Sequence, residues 1–340
     1  MKKKLLILLL CSVLLISTTI TLVKANSSIL TLTATCNNTW PFDRYTTFTL
    51  SGSMEYNDFV APQYPSDGLI GVEIQDPTET PVVARTIQTG DSMPNNITAY
   101  IDTDATYICN SGGTEQTSIP LPTADNEVLP CYYINVTNNL GITVPMLVTM
   151  NVYDSNGVPI ALISQEVNVG PHSTSNAFGN FNIPSWAHYG TATAYVDVYS
   201  TWPSQGGVPY GLEYPFQFTI TGGTPFSGTP SIIQSASGYY NFSYLIPKAA
   251  VIGTYTVSTS ANYLGVAGSA STTFQVAQLG DLNNEGEVNF TDLVIFVGDY
   301  IAYYDYGTFN AAIDYTHNGK TLDFADLLLF VHYYIIYWSP

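Results

Sequence analysis

Met146-Leu147-Val148-Thr149-Met150-Asn151-Val152-Tyr153 runs into Asp154-Ser155-Asn156-Gly157, and that junction decides the fold. Side chains alternate across a strand, so Met146, Val148, Met150 and Val152 share one face and Thr149 and Asn151 the other. The four residues that follow supply the positive backbone angles of a tight hairpin. Outward from here the same period of two recurs. Leu30, Leu32, Ala34 and Cys36 alternate with Thr31, Thr33 and Thr35, and Ala192, Ala194, Val196 and Val198 alternate with Thr193, Tyr195 and Asp197. Turn residues punctuate positions 27 to 277 about every 8 to 12 residues, with no convincing helical period between them. Antiparallel β-sandwiches are the expected architecture.

Part of this region is duplicated. Phe181, Ile183, Pro184, Ala187 and Gly190 return as Phe242, Ile246, Pro247, Ala250 and Gly253, with Pro three residues before Ala and six before Gly in both. Each copy closes with an alternating strand, Phe216-Gln217-Phe218 and Phe274-Gln275-Val276. A strand ending in Ile-Pro, a turn of small residues and a Gly opening the next strand resemble the Ig-like and macroglobulin-like modules of bacterial and archaeal surface proteins. An earlier segment carries its own alternation at Ile70, Val72 and Ile74 and at Val82-Val83, with turns at Pro65-Ser66-Asp67-Gly68 and Asp76-Pro77. The expected order is a signal peptide over 1–25, sandwiches over 26–128 and 129–221, a short half-sandwich over 222–278 and a helical module over 279–340. The fold class is thus mainly β, with tandem Ig-like sandwiches followed by a small all-α domain.

Composition sets the partners. The 340 residues hold 8 basic and 26 acidic side chains, a net charge of −18. Four of the basic ones, Lys2, Lys3, Lys4 and Lys24, lie in the first 25 residues. Without that segment 4 basic residues face 26 acids, a net of −22. Such a chain has no surplus cation for phosphates, which excludes nucleic acid and favours divalent cations. The three leading lysines and the apolar run Leu5 to Val23 read as a secretory signal, with an uncleaved membrane anchor as the alternative. Export to the cell surface or the medium follows. Cys36, Cys109 and Cys131 remain, so at most one internal disulfide forms; Cys109 with Cys131 closes a short loop and Cys36 competes. Six Asn-x-Ser/Thr triplets, at Asn26, Asn37, Asn96, Asn135, Asn241 and Asn289, fit an exported surface.

From Gly280 the pattern changes. Counting from Asp281, oxygen-bearing side chains stand at loop positions 1, 3, 5, 9 and 12 (Asp281, Asn283, Glu285, Asn289, Asp292), with Gly286 at position 6. Alternate residues of a tight loop point inward at a hard cation, Gly permits the bend, the residue after it offers a carbonyl, and position 12 offers a carboxylate. An apolar helical stretch follows, Leu293 to Tyr304. Asp292, Phe296, Val297, Tyr300, Ile301 and Tyr303 return 34 residues later as Asp326, Phe330, Val331, Tyr334, Ile335 and Tyr337. The second loop opens with Asp314 and carries one inserted residue, so it is the weaker site. Nine acids against Lys320 leave residues 280–340 at −8, a charge that repels itself unless cations fill the loops.

Two calcium loops, each followed by one helix, resemble dockerin domains, in which paired loop-helix repeats bind Ca2+ and dock to a cohesin. The resemblance implies ligands at Asp281, Asn283, Glu285, the Glu287 carbonyl, Asn289 and Asp292. In the second loop it implies Asp314, Thr316, Asn318, the Lys320 carbonyl and Asp326, with Asp323 as a further candidate. Positions 10 and 11 are Phe290-Thr291 and Phe324-Ala325, unlike the bacterial pattern, so the partner is cohesin-like in role only.

No motif of nucleophilic, zinc-dependent or nucleotide-dependent catalysis occurs. His172, His188, His317 and His332 lack a partner in sequence, and Asp102, Asp104 and Glu213 are the sole hint of a glycosidase pair. Trp40, Trp186, Trp202, Tyr64, Tyr210 and Tyr214 read as packing aromatics, with a glycan platform as the alternative. The expected function is attachment through the Ca2+ module to a cohesin-like protein, or onto the chain's own sandwich domains, with the sandwiches serving adhesion, spacing or ligand binding. The alternative is a carbohydrate-binding or hydrolytic subunit of an extracellular polysaccharide-degrading complex.

Overall fold

The structure is a computed structural model that describes residues 28–36, 42–44, 46–58, 61–94, 97–110, 112–122, 129–222, 233–247, 249–283, 287–310, 313–315 and 321–337. The signal segment, Trp40, Glu285 and the Thr316 to Lys320 run lie outside these residues.

Among the described residues nineteen strands fall into three runs along the chain. The first is β1 (Ile29–Cys36), β2 (Phe42–Asp43), β3 (Thr47–Asn57), β4 (Pro62–Gln63), β5 (Leu69–Gln75) and β6 (Pro81–Gln88). The second is β7 (Ala99–Ile101), β8 (Tyr107–Cys109), β9 (Ser118–Pro120), β10 (Cys131–Asn138), β11 (Val144–Tyr153), β12 (Pro159–Val169), β13 (Thr174–Asn180), β14 (Gly190–Tyr199) and β15 (Tyr214–Thr221). The third is β16 (Ile233–Ala236), β17 (Tyr239–Leu245), β18 (Gly253–Tyr263) and β19 (Val266–Ala277).

The first and third runs build one sandwich together. One of its sheets has the order β1-β3-β17-β16 and the other β2-β19-β18-β5-β6. Its core joins Phe48, Leu50, Ile70 and Val72 to Phe242, Tyr255 and Phe274, and Phe48 stacks on Phe274 at 4.2 Å. The second run builds the other sandwich alone, from β13-β10-β7, with β8 beside β10, and β12-β11-β14-β15-β9. This corrects the segmentation read from sequence. Residues 222–278 are not a half-sandwich beside a neighbour but the missing half of the first domain, and β7, β8 and β9 belong to the second. One sandwich is inserted between β6 and β16 of the other. Domain insertion is tolerated where the two ends of the inserted unit lie at the surface and close together.

The duplication is also wider than the motif that revealed it. Ala187 N–H donates to the Pro184 carbonyl and Ala250 N–H to the Pro247 carbonyl, at 3.0 and 3.1 Å, and Gly190 and Gly253 both take a positive φ that opens the next strand. In the β5–β6 turn the Asp76 carboxylate accepts from Thr78 and Thr80 N–H; in the β11–β12 turn the Asp154 carboxylate accepts from Asn156 and Val158 N–H. The short strand β2 runs parallel to β19 as β9 does to β15. One copy of the sandwich is nested in the other.

Cys109 and Cys131 face each other across β8 and β10 and are bonded, whereas Cys36 is a free, half-buried thiol against Thr272 and Thr273. Beyond the sandwiches α1 (Phe290–Tyr306) and α2 (Phe324–Tyr337) form a separate apolar cluster that includes Phe296, Ile313, Tyr315, Leu322 and Phe330. Among the described residues no helix is long and apolar enough to cross a membrane.

Candidate functional site

The C-terminal repeat is the first candidate. α1 begins three residues earlier than the apolar period suggested, because Asn289 caps it: its Oδ1 accepts from Thr291 N–H at 2.7 Å, and Asp292 Oδ2 accepts from Asn289 N–H at 2.8 Å. This reciprocal pair satisfies two orphan donors of the first turn. The second repeat reproduces it. Asp323 Oδ1 accepts from Ala325 N–H at 2.7 Å, and Asp326 Oδ2 from Asp323 N–H at 2.8 Å. Asp323 is thus the counterpart of Asn289, which places the inserted residue earlier in the second loop. Gly307, at a φ of 69°, closes α1.

The first loop folds back on its own end. Asp292 Oδ1 accepts from Leu282 N–H at 2.7 Å and Asn283 N–H at 3.3 Å, so loop positions 2 and 3 sit beside position 12. Asp292 and Asp326 are fully buried and Asp314 nearly so, whereas Asp281 is half-buried and Asn283 and Glu287 are exposed. Val288 and Leu322, each four residues before the closing aspartate of its loop, are buried. Among the described residues no three acidic, His or Cys side chains converge, and the Asn289 side chain is engaged in its cap rather than free to ligate directly. Glu285, Thr316, Asn318 and Lys320 lie outside the described residues. The group that fits a cation is the buried Asp292 carboxylate, which has no ion pair among the described residues, although its oxygens already accept from Leu282, Asn283 and Asn289 N–H and would meet a hard cation only with their remaining lone pairs.

The two helices pack by their repeated aromatics. Phe296 and Phe330, 34 positions apart, stack at 4.3 Å and an interplanar angle of 9°. Their other faces are uncovered: Phe290, Val294, Val297 and Ile301 on α1, and Phe324, Leu328, Val331 and Ile335 on α2, are each 38 to 71% exposed. Spacings of four, three and four residues put each set on one stripe.

A second cluster lies between the sandwiches, and sequence reasoning missed it. β6 is an edge strand whose outward N–H groups are taken by side chains of the other domain. Ala84 N–H donates to Asn151 Oδ1 at 2.6 Å and Thr86 N–H to Asp197 Oδ1 at 3.0 Å. Between them Arg85, fully buried, forks onto Glu213 at 2.5 and 2.8 Å and lies 3.4 Å from the Tyr195 ring centre. Burial works most strongly against the Arg85 charge, but Glu213, Tyr153 and Asp197 together outweigh it, and the guanidinium stays ionised. Burial and then the Glu213 charge push Asp197 well above the usual carboxylate range. The signal was available: Arg85 is one of four basic residues after the first 25 and interrupts the apolar run Val82-Val83-Ala84.

Two of the carboxylates considered for glycoside cleavage are separately employed. Glu213 holds Arg85, and Asp102 Oδ1 accepts from Asp104 N–H in a short turn. His188, expected to lack a partner, has Nδ1 at 2.7 Å from Asp154 Oδ2. Nor are the suggested stacking aromatics brought together. Trp186 lines a groove of about 260 Å³ with Val82, Ile160, Tyr244 and Tyr255; Trp202 packs by Tyr199; Tyr210 and Tyr214 back the second core; Tyr64 stacks on Tyr239.

No family model and no curated protein matches this chain. Among solved structures it is similar to a CARDB domain from Pyrococcus furiosus crystallised with di-metal ions, at 15% identity and a TM-score of 0.24, over 36% of this chain and 94% of that one. It is similar to a Bacteroides uniformis beta-glucuronidase at 8% identity and a TM-score of 0.28, over 55% of this chain and 27% of that one. It is also similar to the native form of an E. coli alpha-2-macroglobulin at 8% identity and a TM-score of 0.22, over 77% of this chain and 23% of that one. This chain therefore spans about a quarter of the length of the latter two. Its neighbours include an Ig-like domain and a macroglobulin, and its own structure is mainly β.

Proposed function

We propose that this is an exported, modular β-sandwich protein whose C-terminal loop-helix pair, clamped by Ca2+ in the manner of a dockerin, attaches the chain to a cohesin-like partner. The observation that carries the reading is the doubled apolar stripe. Phe290, Val294, Val297 and Ile301 on one helix match Phe324, Leu328, Val331 and Ile335 on the other, each at a separation of 34. Exposed apolar surface repeated this regularly marks an interaction face rather than scatter. A unit whose cluster buries five side chains among the described residues holds itself together only marginally, so cations at the loops contribute folding energy as well as charge relief. Extracellular sites of this kind bind Ca2+ at about 10⁻⁴ to 10⁻³ M, which suits a permanent structural clip.

The test uses the full chain immobilised in Ca2+ or in chelator and exposed to the exoprotein fraction of its own cells. Ca2+-dependent capture of one distinct protein, lost in a Val294→Asp/Leu328→Asp double variant, is the expected result. Capture unchanged by chelator and by the double variant would overturn the docking reading. The metal arm stands separately: Asp281→Ala weakens Ca2+ binding at least tenfold, read by calorimetry, and an unchanged affinity removes Asp281 from the ligand set.

A further inference from the structure

Two Asn-x-Ser/Thr triplets lie within described strands and share a surrounding. In β10 the side chains of Tyr133, Asn135 and Thr137 alternate with Tyr132, Ile134 and Val136, which are buried in the core of the inserted sandwich. In β17 Tyr239, Asn241 and Ser243 alternate with Tyr240, Phe242 and Tyr244, which are buried in the core of the other. The period of two therefore puts the acceptor asparagine, its hydroxyl residue two places on and a tyrosine two places back on one outward face. Each tyrosine is stacked on a second. Tyr133 lies 5.4 Å from Tyr107 at an interplanar angle of 15°, and Tyr239 lies 5.4 Å from Tyr64 at 12°. Phe178, opposite Tyr133 on β13, extends the first platform and is exposed, as are Tyr239 and Tyr64.

The two amides are also uncommitted. Neither the Asn135 nor the Asn241 side chain makes a hydrogen bond among the described residues, and both residues are half-buried; the Asn241 Oδ1 is itself buried without a partner, in contrast to the Asn289 side chain, which caps α1. Asn289 further has Glu287, not an aromatic residue, two places before it. An unbonded amide beside a stacked ring pair, exposed at Tyr64 and Tyr239 and half-buried at Tyr107 and Tyr133 next to the exposed Phe178, is a place where a sugar attached to the amide lays its apolar C–H face on the ring.

We propose that Asn135 and Asn241 carry N-linked glycans whose first sugar covers the tyrosine pair beside it. The proposal rests on the reading that the chain is exported. In the transfer the asparagine Nδ2 attacks C1 of a lipid-linked, phosphate-activated oligosaccharide held by a membrane transferase. The N–C1 bond forms, the C1–O bond to phosphate breaks, the lipid phosphate leaves with the bonding pair, and Nδ2 gives up one proton to a base of the transferase. Both asparagines sit in strands paired on two sides, so transfer precedes closure of the sheets.

The protein is isolated from its own cells by fraction, and peptides spanning the two sites are weighed by mass spectrometry. Hexose- or hexosamine-bearing masses at Asn135 and Asn241 in the exported fraction are expected. Bare asparagine at both sites in exported protein overturns the proposal while leaving export intact; bare protein confined to the cytosol overturns both. The stacking is tested by a cycle of variants made in the same cells. Asn135→Gln lowers Tm, and the lowering is lost when Tyr133→Ala is already present; Asn241→Gln and Tyr239→Ala behave alike. Equal lowering with and without the tyrosine overturns the stacked arrangement. In a host without the transferase the Gln variants leave Tm unchanged, and a lowering there would assign the effect to the asparagine itself and overturn the role of the sugar.

Discussion

The nested sandwiches and the helical pair use opposite means to stay folded. Each sandwich closes over a continuous apolar core, and the pair is pinned by a buried ion pair, Arg85 with Glu213, and by side chains that cap the β6 edge. The helical pair has a small cluster around one ring stack, fully buried carboxylates at both helix starts and its most apolar stripes turned outward. One region spends its apolar surface inside and the other presents it. The difference teaches which part is scaffold and which is contact: a region with little core and much exposed apolar surface needs both a ligand to stiffen it and a partner to cover it.

The strongest way to break this contrast is at the ion pair. Arg85→Ala strands Glu213 and Asp197 in a closed interface and costs about 3–5 kcal/mol, read by chemical denaturation of the sandwiches, with the helical signal of the C-terminal pair unchanged. A loss below about 1 kcal/mol would mean that water reaches the cluster. The converse substitution is Phe330→Ala. It removes half of the stack, costs the helical pair about 3 kcal/mol and leaves the sandwiches at the wild-type midpoint. A single transition in which both regions shift together would show that the two are not separate units.

The smallest effect concerns pH. Asp197 has its pKa raised by burial and by Glu213, with Arg85 acting the other way. A raised carboxylate contributes its full stability below the unfolded value and loses it as pH rises toward the folded value. Stability of the sandwiches therefore falls over that window, and Asp197→Asn, which does not titrate and keeps an acceptor for Thr86 N–H, flattens the slope. An unchanged slope in urea midpoints across the window would assign the pH response to another group.

Where the pattern is local, the residues already carried the structure. Alternation at Met146 to Val152 is β11 as it stands, and Asp154 makes the turn because its short carboxylate reaches two nearby N–H groups. Asp292, Phe296 and Phe330 announced the helical repeat, since a period near 3.6 and a fixed 34-residue offset need no tertiary information. The disulfide was half legible: the number of cysteines limited it to one, and register across β8 and β10 chose the pair.

Nesting was decided elsewhere. β3 and β17 are neighbours in a sheet yet separated by the whole inserted domain, and a strand's own residues record that it is half-buried but not which strand lies beside it. The motif at Pro184 and Pro247 thus revealed a repeat and not its partners. For the same reason Arg85 and Glu213, 128 residues apart, gave no joint signal. Alternation and helical period are properties of successive residues and are written in the sequence by itself. Pairing, the edge capped by Asn151 and Asp197, and the charge enclosed between two domains arise only when distant segments meet and exclude water, which tertiary structure alone decides.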